Sequence, residues 1–560
     1  MSGVRLSSPI YICVLSKSSH LVLACSTYLN VITCSTPNFN INSIMIPTLG
    51  LLTLLWSASS LAADPDTLRP ALAIKIKPVS LPRRAAASLG ASSSLGAQLV
   101  RDLVRQAQAQ GSSSHTSHTK RETENNFQVL PLITSISPTQ LAEMVQTATE
   151  RDPTYMPTDF GSWFQVIFSS SSSFQSNITS SSSLMKSLST FPDILSIQSM
   201  SQNTRLPTTA TVKATPKVER AITPLTPLKN PRFPQQGYLL PAPLGISATY
   251  AWNFPGGAGS GASLIDVERG WLLSHEDLVG AKIPLLAGEN VNDRWGANLP
   301  HGTAALGEIF MVDNSRGGVG IATQAKGSVV GVGRTVGGGP MENQAEAILD
   351  ALKFAAPGDV ILLEMQAGDL NGNLWPVEVQ DAEFEAIRLA TALGVVVVEP
   401  AANGGADGKG VDLDGPVTRQ EGEAGRTFLK KGTKDYRDSG AIIVGAASST
   451  VPHQKMVWSN YGSRVDVFAW GENILTTSVH VGENYAQVYE SFDGTSGAAP
   501  IIAGVALSVQ GMVNANRGRK FSPKELRDVI KKGGTPTANR GDKIGVQPDL
   551  KVIIDGGYLK

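Results

Sequence analysis

Three side chains with complementary chemistry lie beside predicted strands and helices in the second half of the chain. Asp266 ends the apolar strand ASLI, His301 begins the helical run HGTAALGEI, and Ser496 lies in FDGTSGAAPIIAGV, where a Gly-Thr turn meets a helix. Serine is a weak nucleophile that needs an adjacent base, and an imidazole base needs a carboxylate that fixes its tautomer. The helix at Ser496 also places positive potential beside a developing oxyanion. These residue types predict a nucleophilic hydrolase, and their order differs from the Ser, acid, His order of lipase-like enzymes.

A fourth candidate is Asn403, which follows the apolar strand VVVVEPAA and precedes Gly404 and Gly405. An amide donor at such a loop end can donate a hydrogen bond to an oxyanion. Asn403 is therefore the predicted oxyanion-hole residue.

The elements that must position these groups form an alternating pattern over residues 236–560. Apolar strands alternate with helices such as ENQAEAILDALKFA and DAEFEAIRLATAL; the strands are ASLIDV, SVVGVG, DVILLEM, VVVVEP, AIIVGAAS and VDVFAWG. Strands that are apolar on both faces and separated by helices are typical of a buried parallel sheet. The sequence predicts an α/β fold with a doubly wound, mostly parallel sheet, whose reactive groups collect at the carboxyl ends of the strands.

Residues 64–235 have a different character and are predicted to form a small α+β region. Strands are predicted at LAIKIKPV and WFQVIF, and a helix at SPTQLAEMVQTATERD, with Ser137 as its cap and Pro138 at its first position. A linker and a Ser-rich insertion interrupt the pattern, and LMKSLSTFPDILSIQS then predicts a helix, a turn and a strand.

The N-terminus is interpreted as a processing region. Residues 45–63 hold the apolar run Met45–Trp56 followed by small residues, which is the length of a secretory signal and too short to cross a bilayer. Residues 1–44 are interpreted as a doubtful upstream leader, with Met45 as the start; an unusually long leader is the alternative. The expected location is therefore extracellular.

Composition excludes several classes of protein. The chain has 47 basic and 47 acidic side chains, so no excess charge favours nucleic acid as a partner, and no second apolar segment predicts a membrane anchor. All three cysteines lie in the first 44 residues, so the exported protein would have neither disulfides nor a thiolate metal site; they are Cys13, Cys25 and Cys34.

The chain resembles the subtilisin-like serine peptidases. The blocks that carry the resemblance stand in the family's order between Ser247 and Gly511; they are LIDVERGWLLSHEDL, HGTAALGEI, VVVVEPAANGGADG, AIIVGAASS, WSNYGSRVDVFAWGENILTTS and FDGTSGAAPIIAGVAL. A single block such as GTS or HGT is a weak signal, whereas six blocks in order are a strong one.

The resemblance implies a secreted serine endopeptidase that is made as a zymogen and acts on protein or peptide substrates. Asp266 would orient the imidazole, His301 would act as general base and then acid, and Ser496 would attack the scissile carbonyl. Asn403 and the Ser496 backbone N–H would hold the oxyanion. Residues 64–235 resemble the family's propeptide, an intramolecular inhibitor. The rival hypothesis is a catalytically inactive relative that serves as a binding or structural module.

The chain departs from the family pattern near each functional residue. Val267 and Glu268 follow Asp266 where a small residue and glycine are usual, Ala402 replaces the glycine before the oxyanion asparagine, and Gly497 replaces the methionine after the serine. Glu364 lies where the substrate-binding strand normally reads Ser-x-Gly-Gly, and two interpretations remain open: it favours a basic substrate side chain, or it faces solvent.

Two residues mark loops that bind calcium in some relatives of this family. Asp277 and Asn314 offer the hard oxygen ligands that calcium prefers, although such loops are also common without metal. The chemistry itself requires no cofactor, so calcium would be structural.

Overall fold

The computed structural model describes residues 12–15, 21–25, 28–32, 69–77, 89–111, 127–168, 178–200, 229–291, 299–336, 339–419, 423–480 and 485–559. The predicted signal peptide lies outside the described residues. The chain divides into two units, residues 1–62 and 63–560. In the described part of the first unit, three strands form an antiparallel sheet: β1 (Ile12–Leu15), β2 (Leu21–Cys25) and β3 (Tyr28–Ile32).

The second unit begins with the predicted α+β region. The described part of this region has four strands and three helices, which are β4 (Ala71–Ile76), α1 (Leu89–Gly111), β5 (Phe127–Pro131), α2 (Pro138–Arg151), β6 (Trp163–Phe168), α3 (Ile178–Leu188) and β7 (Ile194–Ser199). The strands pair antiparallel in the order β5-β6-β4-β7. Helix α2 begins as its sequence predicts, because Ser137 caps it and forms a capping box with Gln140.

Helix α1 was missed by the sequence analysis, which treated this stretch as linker. Its inward positions recur at helical spacing and include Val100, Leu103, Val104 and Ala107, all buried against one face of the antiparallel sheet. The serine-rich start of the helix, ASSS, weakened the apolar pattern on which the prediction depended.

The central sheet confirms the predicted α/β fold. Nine strands of the described chain form it: β8 (Ser263–Glu268), β9 (Leu285–Ala287), β10 (Lys326–Gly331), β13 (Val360–Leu363), β16 (Val396–Pro400), β17 (Ile442–Ala447), β18 (Val467–Trp470), β21 (Gly534–Pro536) and β22 (Val546–Pro548). Their order is β21-β22-β18-β17-β16-β13-β8-β10-β9, and every neighbouring pair is parallel except β21 with β22.

This order places a topological switch point between β8 and β13. After β8 the chain builds β9 and β10 on one side of it, and it then crosses to build β13 and its successors on the other side. The crossing connections diverge above the carboxyl ends of these two strands and leave a crevice there, which is where open α/β sheets bind their ligands.

Helices cover both faces of the sheet, together with short hairpins at its edges. The remaining described elements are α4 (Ala248–Ala251), α5 (Leu299–Phe310), β11 (Gly333–Val336), β12 (Gly339–Glu342), α6 (Gln344–Leu352), β14 (Gln366–Gly368), β15 (Leu374–Pro376), α7 (Asp381–Ala392), β19 (Ile474–Ser478), β20 (Val488–Phe492), α8 (Thr495–Arg517), α9 (Pro523–Lys532) and α10 (Leu550–Asp555).

Strand β8 contributes side chains to the hydrophobic cores on both faces of the sheet. Leu264 packs into the core that contains α8, whereas Ile265 and Val267 pack into the core that contains α6 and α7. Successive side chains of a strand point to opposite faces, so Asp266 and Glu268 share the face of Leu264. That face is the one that α5 and α8 cover.

The α+β region packs against α6 and α7. Apolar residues of this region, such as Leu132, Leu141 and Trp163, lie in the same buried cluster as Ile348 and Ile387 of the two helices. The two regions therefore share a continuous hydrophobic core within the second unit.

Helix α8 is long and apolar enough, by length and composition alone, to cross a membrane. Its most apolar window is 94% buried inside the protein. It serves as the central core helix of the fold.

Candidate functional site

The site is built at the switch point from four segments of the chain. Glu268 is the last residue of β8, and Glu364 immediately follows β13. His301 is the third residue of α5, and Ser496 is the second residue of α8. All four side chains line one cleft.

The imidazole of His301 is held by Glu268. Nδ1 of His301 lies 2.5 Å from Oε2 of Glu268, and the other carboxylate oxygen accepts the backbone N–H of Arg269 at 2.7 Å. The ring also lies edge-on to Phe492, with centroids 5.2 Å apart. A proton on Nδ1 donates to the carboxylate and leaves Nε2 as the basic nitrogen, which is the tautomer that a general base requires.

Gly302 permits this close approach of α5 to β8. A Cβ atom at this position would lie 2.4 Å from the backbone oxygen of Gly270 and 2.8 Å from Cγ of Glu268. Any side chain would therefore push the helix, and His301 with it, away from Glu268.

The expected contact between Asp266 and His301 is not found. Asp266 is fully buried, and its Oδ2 accepts the indole N–H of Trp271 at 2.7 Å. Burial and the neighbouring Glu268 raise the pKa of Asp266 well above its ordinary value.

The predicted catalytic role of Asp266 stays a prediction, but the structure places Glu268, the next residue on the same face of β8, against His301. A signal for Glu268 was present in the sequence. The family's usual acidic residue is followed two positions later by glycine, and Glu268 has that spacing to Gly270.

Ser496 stands at a sharp entry into α8. Gly494 precedes the helix with φ +98°, a conformation that L side chains rarely adopt, and Thr495 begins the helix. The first backbone N–H groups of a helix have no partner within the helix, so the N–H of Ser496 is available at this turn as a donor for an oxyanion.

Asn403 lies beside this turn and is oriented by it. Its Oδ1 accepts both the backbone N–H and the hydroxyl of Thr495, each at 2.8 Å. Its Nδ2 is buried and has no hydrogen-bond partner in the part of the chain that the structure describes. The amide thus keeps a donor free next to the nucleophile candidate.

Ala402 takes a strained conformation to present Asn403. It has φ +75°, which costs a non-glycine residue about 1–2 kcal/mol.

We expect Ala402→Gly to raise the free energy of unfolding by about 1 kcal/mol, because relief of strain exceeds the extra chain entropy that glycine loses on folding. Thermal unfolding of an inactive background would measure it, with Ala401→Gly as the matched control that destabilises. A lower melting temperature for Ala402→Gly would contradict the expectation.

Two further carboxyl groups lie near the site. Glu308 is fully buried, lies two helical turns after His301, and burial raises its pKa well above the ordinary value. Glu364 is 7% exposed, and both its oxygens are buried without a hydrogen bond of good geometry within the described residues. The interpretation of Glu364 as solvent-facing was therefore wrong. The sequence analysis missed Glu308, although its spacing of seven from His301 indicates the same helix face.

Asp277 and Asn314 lie together in the structure. Asn314 donates its Nδ2 hydrogen to Oδ1 of Asp277 at 2.9 Å, and its own oxygen accepts the N–H of Arg316. Oδ2 of Asp277 accepts the N–H of Gly318. Among the described residues no group of three or more His, Cys, Asp or Glu side chains could hold a metal, and the calcium site at this pair stays a prediction.

A serine at a helix N-terminus, an imidazole paired with a carboxylate and an unpaired amide donor meet at the switch point of a parallel sheet. This combination is typical of serine hydrolases that are built on an α/β sheet.

Comparison with known proteins shows which family of serine hydrolases this chain resembles. The model of the subtilase family matches residues 288–544. The major intracellular serine protease of Bacillus subtilis is 26% identical over 289 residues, which is 50% of this chain and 78% of that protein. An intracellular serine protease of Paenibacillus polymyxa is 27% identical over 302 residues, which is 52% of this chain and 79% of that protein.

A solved protease of Pseudoalteromonas arctica aligns with a TM-score of 0.43 and 19% identity, covering 59% of this chain and 99% of that one. The fold assignment rests on the topology described above rather than on this alignment. Residues 288–544 therefore resemble the subtilase family, and the chain is similar to subtilisin-like serine proteases.

Proposed function

We propose that the chain is a serine endopeptidase with Ser496 as nucleophile, His301 as general base and acid, and Glu268 as the carboxylate that orients the imidazole. Asn403 Nδ2 and the Ser496 backbone N–H stabilise the oxyanion. The observation that carries the proposal is the 2.5 Å contact between His301 Nδ1 and Glu268 beside a serine in the same cleft.

Each group has one task in this reaction. Nε2 of His301 takes the proton of the Ser496 hydroxyl as its oxygen attacks the scissile carbonyl. The carbonyl oxygen becomes negative and accepts hydrogen bonds from Asn403 and the first turn of α8. His301 then gives its proton to the leaving amine. In the second half of the reaction, His301 takes a proton from the water that attacks the acyl group and returns it to Ser496 Oγ as the acyl group leaves.

The unpaired donor of Asn403 favours this proposal over an inactive binding module. A buried polar group without a partner costs about 1–3 kcal/mol, and a purely structural protein gains nothing from keeping it. An oxyanion that forms only during reaction supplies the missing acceptor.

We also propose that the α+β region acts as a propeptide that covers α6 and α7. Support comes from polar contacts that complete the apolar interface. Glu385 of α7 accepts Lys75 at 2.5 Å and the indole N–H of Trp163 at 2.8 Å. Glu346 of α6 accepts the backbone N–H groups of Thr134 and Ser135. The same carboxylates would be solvent-exposed on α6 and α7 after the region leaves.

Export is part of this proposal and rests on the signal-like residues 45–63. The named relatives include intracellular proteases, so export has to be tested on this chain directly. Mass analysis of protein from the medium would locate the mature N-terminus.

The proposed chemistry is tested by a fluorophosphonate probe, which labels only an activated serine. We expect the wild type to lose the mass of the N-terminal region and to gain one probe molecule, while Ser496→Ala does neither. Unlabelled but folded wild type, before and after trimming with a trace of added protease, would contradict the proposed mechanism.

The propeptide interface should respond to pH through Glu383 of α7. This buried carboxyl accepts a hydrogen bond from Nε2 of Gln198 at 2.5 Å. Burial raises its pKa from 4.5 to about 7. The charge of Asp381 also raises this pKa, whereas the charge of Arg437 lowers it. If the pKa of Glu383 returns to its ordinary value when the N-terminal region leaves, Glu383 binds its proton more tightly in the complex than in the separated parts. The stability of the complex is then fully present below about pH 4.5 and is lost as pH rises through about 7.

We therefore expect the processed N-terminal region to dissociate about 10–100-fold more readily at pH 8 than at pH 5. Size-exclusion chromatography of the processed complex at both pH values would measure the fraction retained. In Glu383→Gln the difference should largely vanish, because an amide does not ionise. An equal pH response in this variant would assign the effect to another group.

A further inference from the structure

Two segments of the chain lie side by side next to Ser496. Strand β14 follows β13, and residues 401–405 follow β16. Because β13 and β16 are parallel neighbours in the sheet, both segments leave it at the same edge. Gln366, the first residue of β14, lines the catalytic cleft together with Ser496 and His301. Asn403, in the other segment, contacts the turn into α8.

Hydrogen bonds hold these two segments at a fixed separation. The backbone N–H of Leu374, in strand β15 of the same hairpin, donates to the carbonyl of Gly404 at 2.8 Å. Asn460 is fully buried, and its Nδ2 donates to the carbonyls of Leu374 and Ala401, at 2.8 and 2.7 Å. One side-chain nitrogen therefore ties the hairpin to the segment after β16. The two segments cannot move apart without breaking these bonds and leaving buried polar groups unpaired.

The side chain of Gln366 reaches from one segment to the other. Its Oε1 accepts the backbone N–H of Asn403 at 3.4 Å. This distance is long for a hydrogen bond, but it places the end of the side chain against the segment that carries Asn403. The half-buried side chain of Gln366 therefore spans the separation between β14 and residues 401–405.

The proposed chemistry determines where a substrate side chain lies. The scissile carbonyl carbon is attacked by Ser496 Oγ, and its oxygen accepts a hydrogen bond from Asn403 Nδ2. The Cα atom on the acyl side is bonded directly to that carbon, so its side chain enters the cleft beside Asn403. Gln366 lies in the same cleft and contacts the same residue. A large substrate side chain and the side chain of Gln366 therefore compete for one space.

We propose that Gln366 determines specificity by size: it occupies the space between β14 and residues 401–405 and selects substrates whose residue on the acyl side of the scissile bond is small, namely glycine, alanine or serine. The inference rests on the proposed roles of Ser496 and Asn403. A larger side chain must displace Gln366, because the two bonded segments cannot separate to admit it. Such exclusion discriminates by raising the free energy of the wrong complex.

The test is kcat/KM of the processed enzyme for two uncharged peptides that differ only in the residue before the scissile bond, alanine or phenylalanine. We expect the wild type to prefer alanine by about 10–100-fold. In Gln366→Gly the space is open, so this preference should fall to about threefold or less. Gln366→Met is the matched control. Methionine keeps the length of the side chain but accepts the Asn403 N–H only weakly, so the preference should stay within about threefold of the wild-type value.

Three results would overturn the proposal: a wild type that does not prefer alanine, an unchanged preference in Gln366→Gly, or a lost preference in Gln366→Met. The last result would assign selectivity to the hydrogen bond with Asn403 rather than to size. Fluorophosphonate labelling of every variant separates these results from a failure of the proposed function, in which the wild type itself does not label. If Gln366→Gly does not fold, Gln366→Ala opens most of the same space and should show the same fall in preference.

Discussion

Replacing Glu268 by glutamine should lower kcat about 10⁴-fold, whereas Asp266→Asn should leave kcat within about threefold of the wild type. Glutamine keeps the size of Glu268 but presents a neutral amide to His301 Nδ1, so it neither enforces the basic tautomer nor stabilises the imidazolium. Asp266 accepts the Trp271 indole N–H, whereas the imidazole of His301 pairs with Glu268. Asparagine retains that acceptor, so the catalytic groups are undisturbed.

Steady-state kinetics of both variants, produced with the N-terminal region removed by an added protease, would measure the two effects. The pair is matched because each change replaces one carboxyl of the same strand face by its amide. Thermal unfolding of both proteins controls for misfolding. A severe loss in Asp266→Asn with near-normal activity in Glu268→Gln would reverse the roles and restore the assignment made from sequence alone.

The difference between Asp266 and Glu268 shows where sequence patterns stop being informative. The predicted strand ASLIDV ends at Val267, whereas β8 continues to Glu268. Asp266 can be buried within the strand because the indole N–H of Trp271 supplies a hydrogen bond. Which of the two carboxyl groups contacts His301 depends on the folded environment, so the local sequence does not report it.

The order of the larger elements was predictable, because it depends on local signals. The cap of α2 lies at Ser137, where the sequence places it. Helix α1 was missed because its serine-rich start weakened its apolar pattern. The short strands β9 and β21 were missed because they are held by pairing with distant segments rather than by their own pattern.

The identities of His301, Ser496 and Asn403 were predictable as candidates, but their geometry was not. No spacing indicates that Asn403 turns its oxygen to Thr495 and leaves its nitrogen unpaired. That orientation follows from the turn into α8, which gives the amide oxygen two donors and the amide nitrogen none among the described residues. The free nitrogen distinguishes a catalytic amide from a structural one.

Asn403→Ala should therefore lower kcat about 10²–10³-fold with little change in KM, a range established for the equivalent amide in a subtilisin. The amide meets negative charge only as the carbonyl oxygen becomes an oxyanion, so its loss is felt in the transition state and not in substrate binding. Cleavage of the chain's own N-terminal region should slow by a similar factor if it uses the same oxyanion site.

Thr495→Val is the matched control for this prediction. It removes the hydroxyl that holds Asn403 Oδ1 but keeps the backbone N–H that also holds it, so a loss of about tenfold or less is expected. The rate of fluorophosphonate labelling should also fall more in Asn403→Ala than in Thr495→Val, since that reaction builds negative charge on an oxygen at the site too. If the loss in Asn403→Ala lay mainly in KM, the amide would act on the bound substrate, and a different donor would have to stabilise the oxyanion.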